Sequence, residues 1–447
     1  LAQYDLRVAI LERHSLWGGL NSFYKKGGRR FDVGLHALTN YVPRGTRGAP
    51  LTKLLRQLRI PWEDLRLAEQ SFSEIRFPGE QLRFSNDFAL FESEVGRAFP
   101  RSIDPFRRLV QEIRETDAFA PREHEPSARE VLGFRLPDRQ LAEMLLVPIC
   151  YYGSAREHDV DWTQFVILFR SLFLEGFARP EGGMRPFLDV LRKRFLSLGG
   201  ELRMRSGVSR IVVEDGHARG VVLDDGTELE ARHVISSAGF VETMRLAGLE
   251  RPSDSEHAPG AISFVESMTV IDREPRELGH EATITFFNDD EQFRYAPPAD
   301  GAAIDPTSGV FCVPNNYRTS EPLPEGLVRV TSLASPAAWR GLPEDEYRSL
   351  KERAYHEALD VAARYGFDPR PHSVYVDAFT PRTIERFTGH INGAVYGAPH
   401  KRKSGETGIE GLVICGTDQG FLGIVGAMLS GVSMANAPVL GPAAVGA

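Results

Sequence analysis

ERHSLWGGLNSFYKKGGRRFDVGLH, residues 12–36, is the stretch whose reading decides the fold. Its first residue, Glu12, closes the apolar run DLRVAILE (5–12), which reads as a short buried parallel strand. Gly18 and Gly19 follow in a tight loop. They lack the Cβ that would hold the backbone away from a pyrophosphate. Gly28, Asp32 and Gly34 then bring the chain back beneath such a ligand. In a dinucleotide-binding βαβ unit, an acid at the end of the second strand accepts hydrogen bonds from the adenosine ribose. That acid lies about 20 residues after a Gly-rich phosphate loop. Counting back from Glu12 passes Leu1, so the loop is expected upstream of the given sequence. The opening LAQYD reads as the last turn of a helix.

The other end carries a second signature, GLVICGTDQGFLGIVGAMLSG (411–431). A buried strand ends at Gly416, Asp418 follows, and Gly423, Ile424, Val425 and Gly426 open a helix. Such a helix start offers free N–H groups that backbone and ligand can approach without side-chain obstruction. It suits a phosphate or the negative charge of a reduced isoalloxazine, and Asp418 suits ribityl hydroxyls.

Between these ends, the chain changes character several times. Amphipathic helices are expected at 51–59, 104–116, 139–147 and 162–177, separated by Pro-containing loops. PEGGMRPFLDVLRKRFLSLGG (180–200) reads as a helix started by Pro-Gly-Gly and stopped by Gly199-Gly200. Short alternating runs follow, turning at Asp215-Gly216 and Asp225-Gly226. Residues 262–335 are strand-rich and 344–365 form one charged helix.

Composition excludes several classes. The 447 residues carry 53 basic and 61 acidic side chains, a net charge of −8, which argues against nucleic acid as a partner. Three scattered cysteines make neither a disulfide framework nor a metal-ligand spacing, so no metal site is expected. The tail from Gln419 to Ala447 is uncharged but rich in Gly and Ala and broken by Pro438 and Pro442. It is a poor candidate for spanning a bilayer.

Glu12 to Gly34, PEGGM (180–184), the runs holding Val208 and Ile211, ISSAG (235–239) and GTDQGFLGIVGAMLSG together resemble the FAD-dependent phytoene desaturase family, within the amine-oxidase-like flavoproteins. DVGLHAL (32–38) and TPRTIERFTGHINGAVYG (380–397) look closest to its carotenoid isomerase and retinol saturase branch. The resemblance implies an α/β fold: a Rossmann-like FAD-binding domain of glutathione-reductase type, assembled from discontinuous segments, plus an α+β substrate domain. The FAD-binding parts would be 1–45, 180–245 and 400–447. The substrate domain would comprise a helical part, 46–179, and a β-sheet part, 246–399. The cofactor would be FAD. Glu12 would bind its ribose, Gly18 and Gly19 its pyrophosphate, and the Val208 backbone its adenine. Gly416, Asp418, Gly423, Ile424, Val425 and Gly426 would hold the ribityl and flavin end. Leu20 departs from the Arg that usually follows the Gly pair, and Thr417 displaces Asp418 by one position.

The resemblance further implies flavin hydride chemistry on a hydrophobic polyene or isoprenoid: desaturation, saturation or isomerisation. His36 is the catalytic candidate by its placement in DVGLH; His390 and Tyr396 are weaker ones. The apolar segments 145–177 and 284–294 would line the substrate, or form core. An amphipathic entrance at 162–177, with Arg170, Arg179 and Arg185 at its rim, would touch a membrane surface, giving a cytoplasmic or peripheral membrane protein. Two alternatives stand beside this reading. One is another flavoenzyme of the fold (hydroxysqualene-processing, protoporphyrinogen or amine oxidase). The other is a non-catalytic, degenerate flavoprotein. No oligomerisation signal is present.

Overall fold

The strand Ala9–Glu12 pairs in parallel with Glu201–Met204, Ala9 opposite Glu201 and Glu12 opposite Met204. It does so in a computed structural model that describes residues 1–118, 120, 124–249, 257–299 and 301–441. A second parallel pair joins Val234–Ser236 to Leu412–Ile414. Parallel partners so far apart in sequence require long crossovers. The chain between them builds the rest of the molecule. Beside these pairs, Val208–Glu214, His217–Leu223 and Glu228–Glu230 form an antiparallel meander. Its first turn has positive φ at both Asp215 (49°) and Gly216 (76°), the geometry that a two-residue hairpin turn demands.

A seven-stranded sheet forms the second body of structure. In spatial order its strands are Ser373–Phe379, Ser263–Ile271, Gly326–Ala334, Ile304–Cys312, Ile284–Asn288, Ser73–Phe77 and Glu80–Phe84. All neighbours are antiparallel except Ile284–Asn288 with Ser73–Phe77. Ser263–Ile271 and Ile284–Asn288 are buried along their whole length, because both faces are covered. On one face lies the helix Glu344–Ala362, whose Ala354, Tyr355, Ala358 and Leu359 pack on Phe311, Val328 and Val330. On the other lie the helices between Phe88 and Phe169.

The stretch 46–179, expected to be helical, also contributes Leu67–Glu69, Ser73–Phe77, Glu80–Phe84 and Ala178–Pro180 as strands. The tight turn at Pro78-Gly79, with Gly79 at φ 80°, closes the hairpin. It places Ile75, Phe77, Leu82 and Phe84 in the core.

The segment 162–177 is core, not a surface rim. The helix Trp162–Phe169 gives way to one π-helical turn, Arg170–Glu175, and then to extended chain. Phe173 sits 4.6 Å from Phe91 and 4.9 Å from Phe84, ring centre to ring centre. Burying each such ring stabilises the fold by about 2–3 kcal/mol. Arg170 donates to the carbonyls of Ile113, Arg114 and Thr116, and Arg179 is buried against Asp32. Neither is placed to meet lipid. Among the described residues, no helix is long and apolar enough to cross a membrane.

Candidate functional site

The sequence signatures lie on the two parallel strand pairs and in the turns that follow them. In the first pair, Glu12 finishes its strand with a carboxylate that accepts from the His14 N–H at 2.8 Å. Its carbonyl accepts from the Ser206 N–H at 2.8 Å, which places Val208, two residues on, beside it. Val208 starts the meander opposite Leu223. Next come Gly18 and Gly19, at φ 111° and 55°. A Cβ on Gly18 would lie 2.8 Å from Leu188 Cδ1, a methyl that can shift, so it is the backbone at φ 111° that favours glycine there. A Cβ on Gly19 would meet nothing within 4 Å.

After the second pair, Gly416 has φ 89° and also faces open space. Its N–H donates to Ser430 Oγ at 2.6 Å, which seats the turn on the helix Gly423–Met434. That helix has Leu422 as N-cap, with no side-chain cap, so its first N–H groups lack a capping acceptor. A Cβ on Gly423 would lie 3.6 Å from Thr39 Oγ1, which brings the helix start to the loop that carries His36. Ile424 and Val425 are buried with Leu35, Leu38 and Phe187 and anchor the helix. Gly426 lets the helix close on Phe421, whose carbonyl carbon would be 3.0 Å from a Cβ there.

Asp418 is 1% exposed, and both its oxygens are engaged. Oδ2 accepts from the Phe240 N–H at 2.6 Å and Oδ1 from the Ala398 N–H at 2.7 Å. The carboxylate therefore ties the C-terminal turn to two distant segments. These positions fit a bound dinucleotide. Two positive-φ glycines front open space, an uncapped helix start offers donors, and the half-buried acid Glu12 ends its strand.

His36 lies in a charged cluster that faces the sheet. Its Nε2 is 3.4 Å from Glu266 Oε2 and 3.2 Å from Thr331 Oγ1. Glu266 pairs with Arg329, which is 1% exposed and also donates to the carbonyls of Val33 and, at 2.7 Å, Leu35. Register explains the meeting: Glu266 is opposite Thr331 and Met268 opposite Arg329, so all four share one sheet face. Burial pushes the Glu266 carboxyl up, but Arg329 and His36 outweigh it and hold it below the usual range. Tyr317 donates to the His36 carbonyl at 2.8 Å. The Tyr152 ring lies 6.4 Å from the imidazole and stacks on Phe177 at 5.4 Å. Its buried hydroxyl has no partner among the described residues.

Reading the sequence missed Glu266 and Arg329, whereas Tyr152 lies in the apolar segment 145–177 that the sequence offers as substrate lining or core. The signal was a lone acid in SFVESMTVI and a lone base in GLVRVTSLA, each inside an apolar strand where a charge requires a partner. His390 lies apart from this cluster, whereas Tyr396 packs on Phe264 and is within electrostatic reach of Glu266 and Tyr152. The His390 ring is 3.7 Å from Glu242, and Tyr396 donates to the Tyr151 carbonyl.

Comparison with known proteins identifies the family. The sequence profile of the family described as flavin-containing amine oxidoreductase matches residues 1–437. A 4,4'-diaponeurosporene oxygenase of Staphylococcus haemolyticus is 24% identical over 67% of this chain. The match spans only 59% of that protein's length. Prolycopene isomerase 2 of an Oncidium hybrid cultivar, a chloroplast protein, is 23% identical over 98% of this chain and 80% of its own. An oxidoreductase from Methanosarcina mazei shares the fold, with a TM-score of 0.66 and 16% identity over 97% of this chain and 95% of its own. With the family profile covering nearly its whole length, this chain belongs to the flavin-containing amine oxidoreductases.

Proposed function

We propose that this protein is an FAD-dependent oxidoreductase that desaturates, saturates or isomerises a hydrophobic polyene or isoprenoid. One observation carries the substrate class: the flavin end of the site abuts an aromatic, apolar wall. Leu422, just before the helix Gly423–Met434, packs on Gly153 so closely that a Cβ there would lie 2.5 Å from Leu422 Cδ1. Next to Gly153, the half-buried Tyr152 ring lies beside His36, backed by the core rings of Phe177 and Phe286. Such a wall suits a flat, extended hydrocarbon and excludes water. The names of the two curated relatives, both of which denote enzymes of polyenes, support the same class.

When bound, FAD supplies hydride transfer. The chain's own residues bind and orient. Glu12 and the Gly18-Gly19 loop would hold the adenosine and pyrophosphate. Gly416 and the start of the helix at Gly423 would hold the flavin end. His36 is the proton carrier beside the aromatic wall. A substrate this insoluble has to be collected from lipid, which favours peripheral contact with a membrane surface.

The test is direct. The purified protein, loaded with FAD, is incubated with a poly-cis polyene dispersed in detergent micelles, with the flavin either oxidised or pre-reduced. The expected result is a shift of the polyene absorption in one of the two states and visible flavin bands released on denaturation. A protein that binds no flavin, or a flavoprotein that leaves every polyene unchanged while oxidising an amine, would overturn this reading.

A further inference from the structure

The His36 cluster contains more than a histidine beside an acid. Two groups face the same ring nitrogen, and only one of them dictates its state. Thr331 Oγ1, at 3.2 Å from Nε2, can donate or accept. Glu266 Oε2, at 3.4 Å, is a carboxylate held ionised and can only accept. A bare lone pair on Nε2 would face that carboxylate and be repelled. The carboxylate itself cannot turn away. Its other oxygen is bound by Arg329, which is itself fixed by the carbonyls of Val33 and Leu35. Among the described residues, Nδ1 of His36 has no hydrogen-bond partner.

We infer that Glu266 is a positioning residue for His36. Clamped by Arg329, it holds the neutral imidazole with its proton on Nε2 and leaves Nδ1 as the nitrogen that takes or gives a proton. When Nδ1 takes a proton, the new positive charge is met by the Glu266 carboxylate through the Nε2–H, and no other proton moves. This inference rests on the flavoenzyme reading for its use in a reaction, but the tautomer itself is a property of the folded chain.

The experiment reads that tautomer. FAD-loaded protein labelled with nitrogen-15 histidine is studied by long-range proton–nitrogen spectra near pH 9, where a free imidazole is neutral. The His36 signals are assigned by their loss in His36→Gln. The expected wild-type result is a protonated Nε2 and a bare Nδ1. Glu266→Gln keeps the side-chain volume, and Arg329 retains the Gln carbonyl as its acceptor. The Gln amide then points its donor at Nε2, so the expected result is reversal, with the proton on Nδ1. Thr331→Val is expected to leave the wild-type tautomer unchanged. Should Glu266→Gln not fold, the wild-type and Thr331→Val spectra decide. A bare Nε2 in the wild type, a doubly protonated ring at that pH, an unchanged tautomer in Glu266→Gln, or reversal in Thr331→Val would each overturn the inference. Flavin absorption recorded on the same samples separates the two questions: absent flavin counts against the proposed function, whatever the tautomer.

Discussion

Arg179 and Asp32 form an ion pair in which both side chains are buried, 9% and 8% exposed. Asp32 ends the strand Arg29–Asp32, and Arg179 lies in Ala178–Pro180, almost 150 residues later. The second Asp32 oxygen accepts from the Met184 N–H at 2.8 Å, at the start of the helix Met184–Ser197. Arg179 also donates to the Leu35 carbonyl at 3.0 Å. One salt bridge thus sets the path of the loop that carries His36. Gly183 is required beside it, since a Cβ there would stand 2.6 Å from the Asp32 carboxylate.

Removing one partner leaves the other charge buried and uncompensated, which typically costs about 3–5 kcal/mol. Arg179→Met is therefore expected to lower unfolding stability by that amount in urea at neutral pH. A loss below about 1 kcal/mol would show that water reaches the pair and that it does not organise the loop.

The open glycines give a test of cofactor binding that spares the core. Gly416→Ala and Gly19→Ala place a methyl group where nothing lies within 4 Å, at backbone φ of 89° and 55°. Gly19→Ala costs about 1–2 kcal/mol for the left-handed backbone, and Gly416→Ala costs more, because φ 89° with ψ −140° is a conformation close to glycine-only. Gly79→Ala, at φ 80° and equally open in the hairpin turn, introduces positive-φ strain away from the site. FAD titration is expected to show at least about tenfold weaker binding for the two site variants, equivalent to 1.4 kcal/mol, and none for Gly79→Ala. Equal affinities across all three would remove Gly19 and Gly416 from the cofactor site.

Much of this site was legible because backbone chemistry, not packing, dictates it. Gly18, Gly19, Gly416 and Gly423 all adopt positive φ. Glycine does so without steric cost, so the sequence carries the signal locally. The Glu266–Arg329 pair was illegible for the opposite reason. Its partners are 63 residues apart, and they meet only through the antiparallel register of their strands. The hairpin Ser73–Phe84 was hidden among helical patterns because it completes a sheet whose other strands lie far downstream. Phe165, Phe169, Phe173 and Phe177 read as a substrate wall or, more readily, as core; all are at most 1% exposed, and the neighbouring rings make them core.

His280 provides a pH test. It is 7% exposed, packs edge-on against Phe311 at 5.1 Å, and has no partner for Nε2 among the described residues. Burial, reinforced by Arg76, pushes its pKa down to about 4 from 6.5. Between those values the unfolded chain binds a proton that the folded one does not, so stability rises with pH. The contribution is complete above about pH 6.5 and is lost as the pH falls towards 4, some 3 kcal/mol in all. His280→Leu is expected to flatten the urea midpoint between pH 6.5 and 5, above the range where most carboxylates titrate. A slope identical to the wild type would mean that His280 is hydrated in the folded protein.

Arg170 distinguishes a structural cation from a lipid-binding one. Its guanidinium serves the end of the helix Ile103–Glu115, donating to the Ile113 carbonyl at 2.9 Å, Arg114 at 3.0 Å and Thr116 at 2.6 Å. Those carbonyls lack helical partners, and a cation there also meets the negative end of the helix dipole. Arg170→Met keeps the apolar stem but leaves the carbonyls without their donor, with an expected loss of about 2–4 kcal/mol in urea unfolding. Co-sedimentation with anionic vesicles should not change, because the charge is spent inside the protein. Weakened vesicle binding at unchanged stability would instead return Arg170 to the membrane rim that its sequence position suggests.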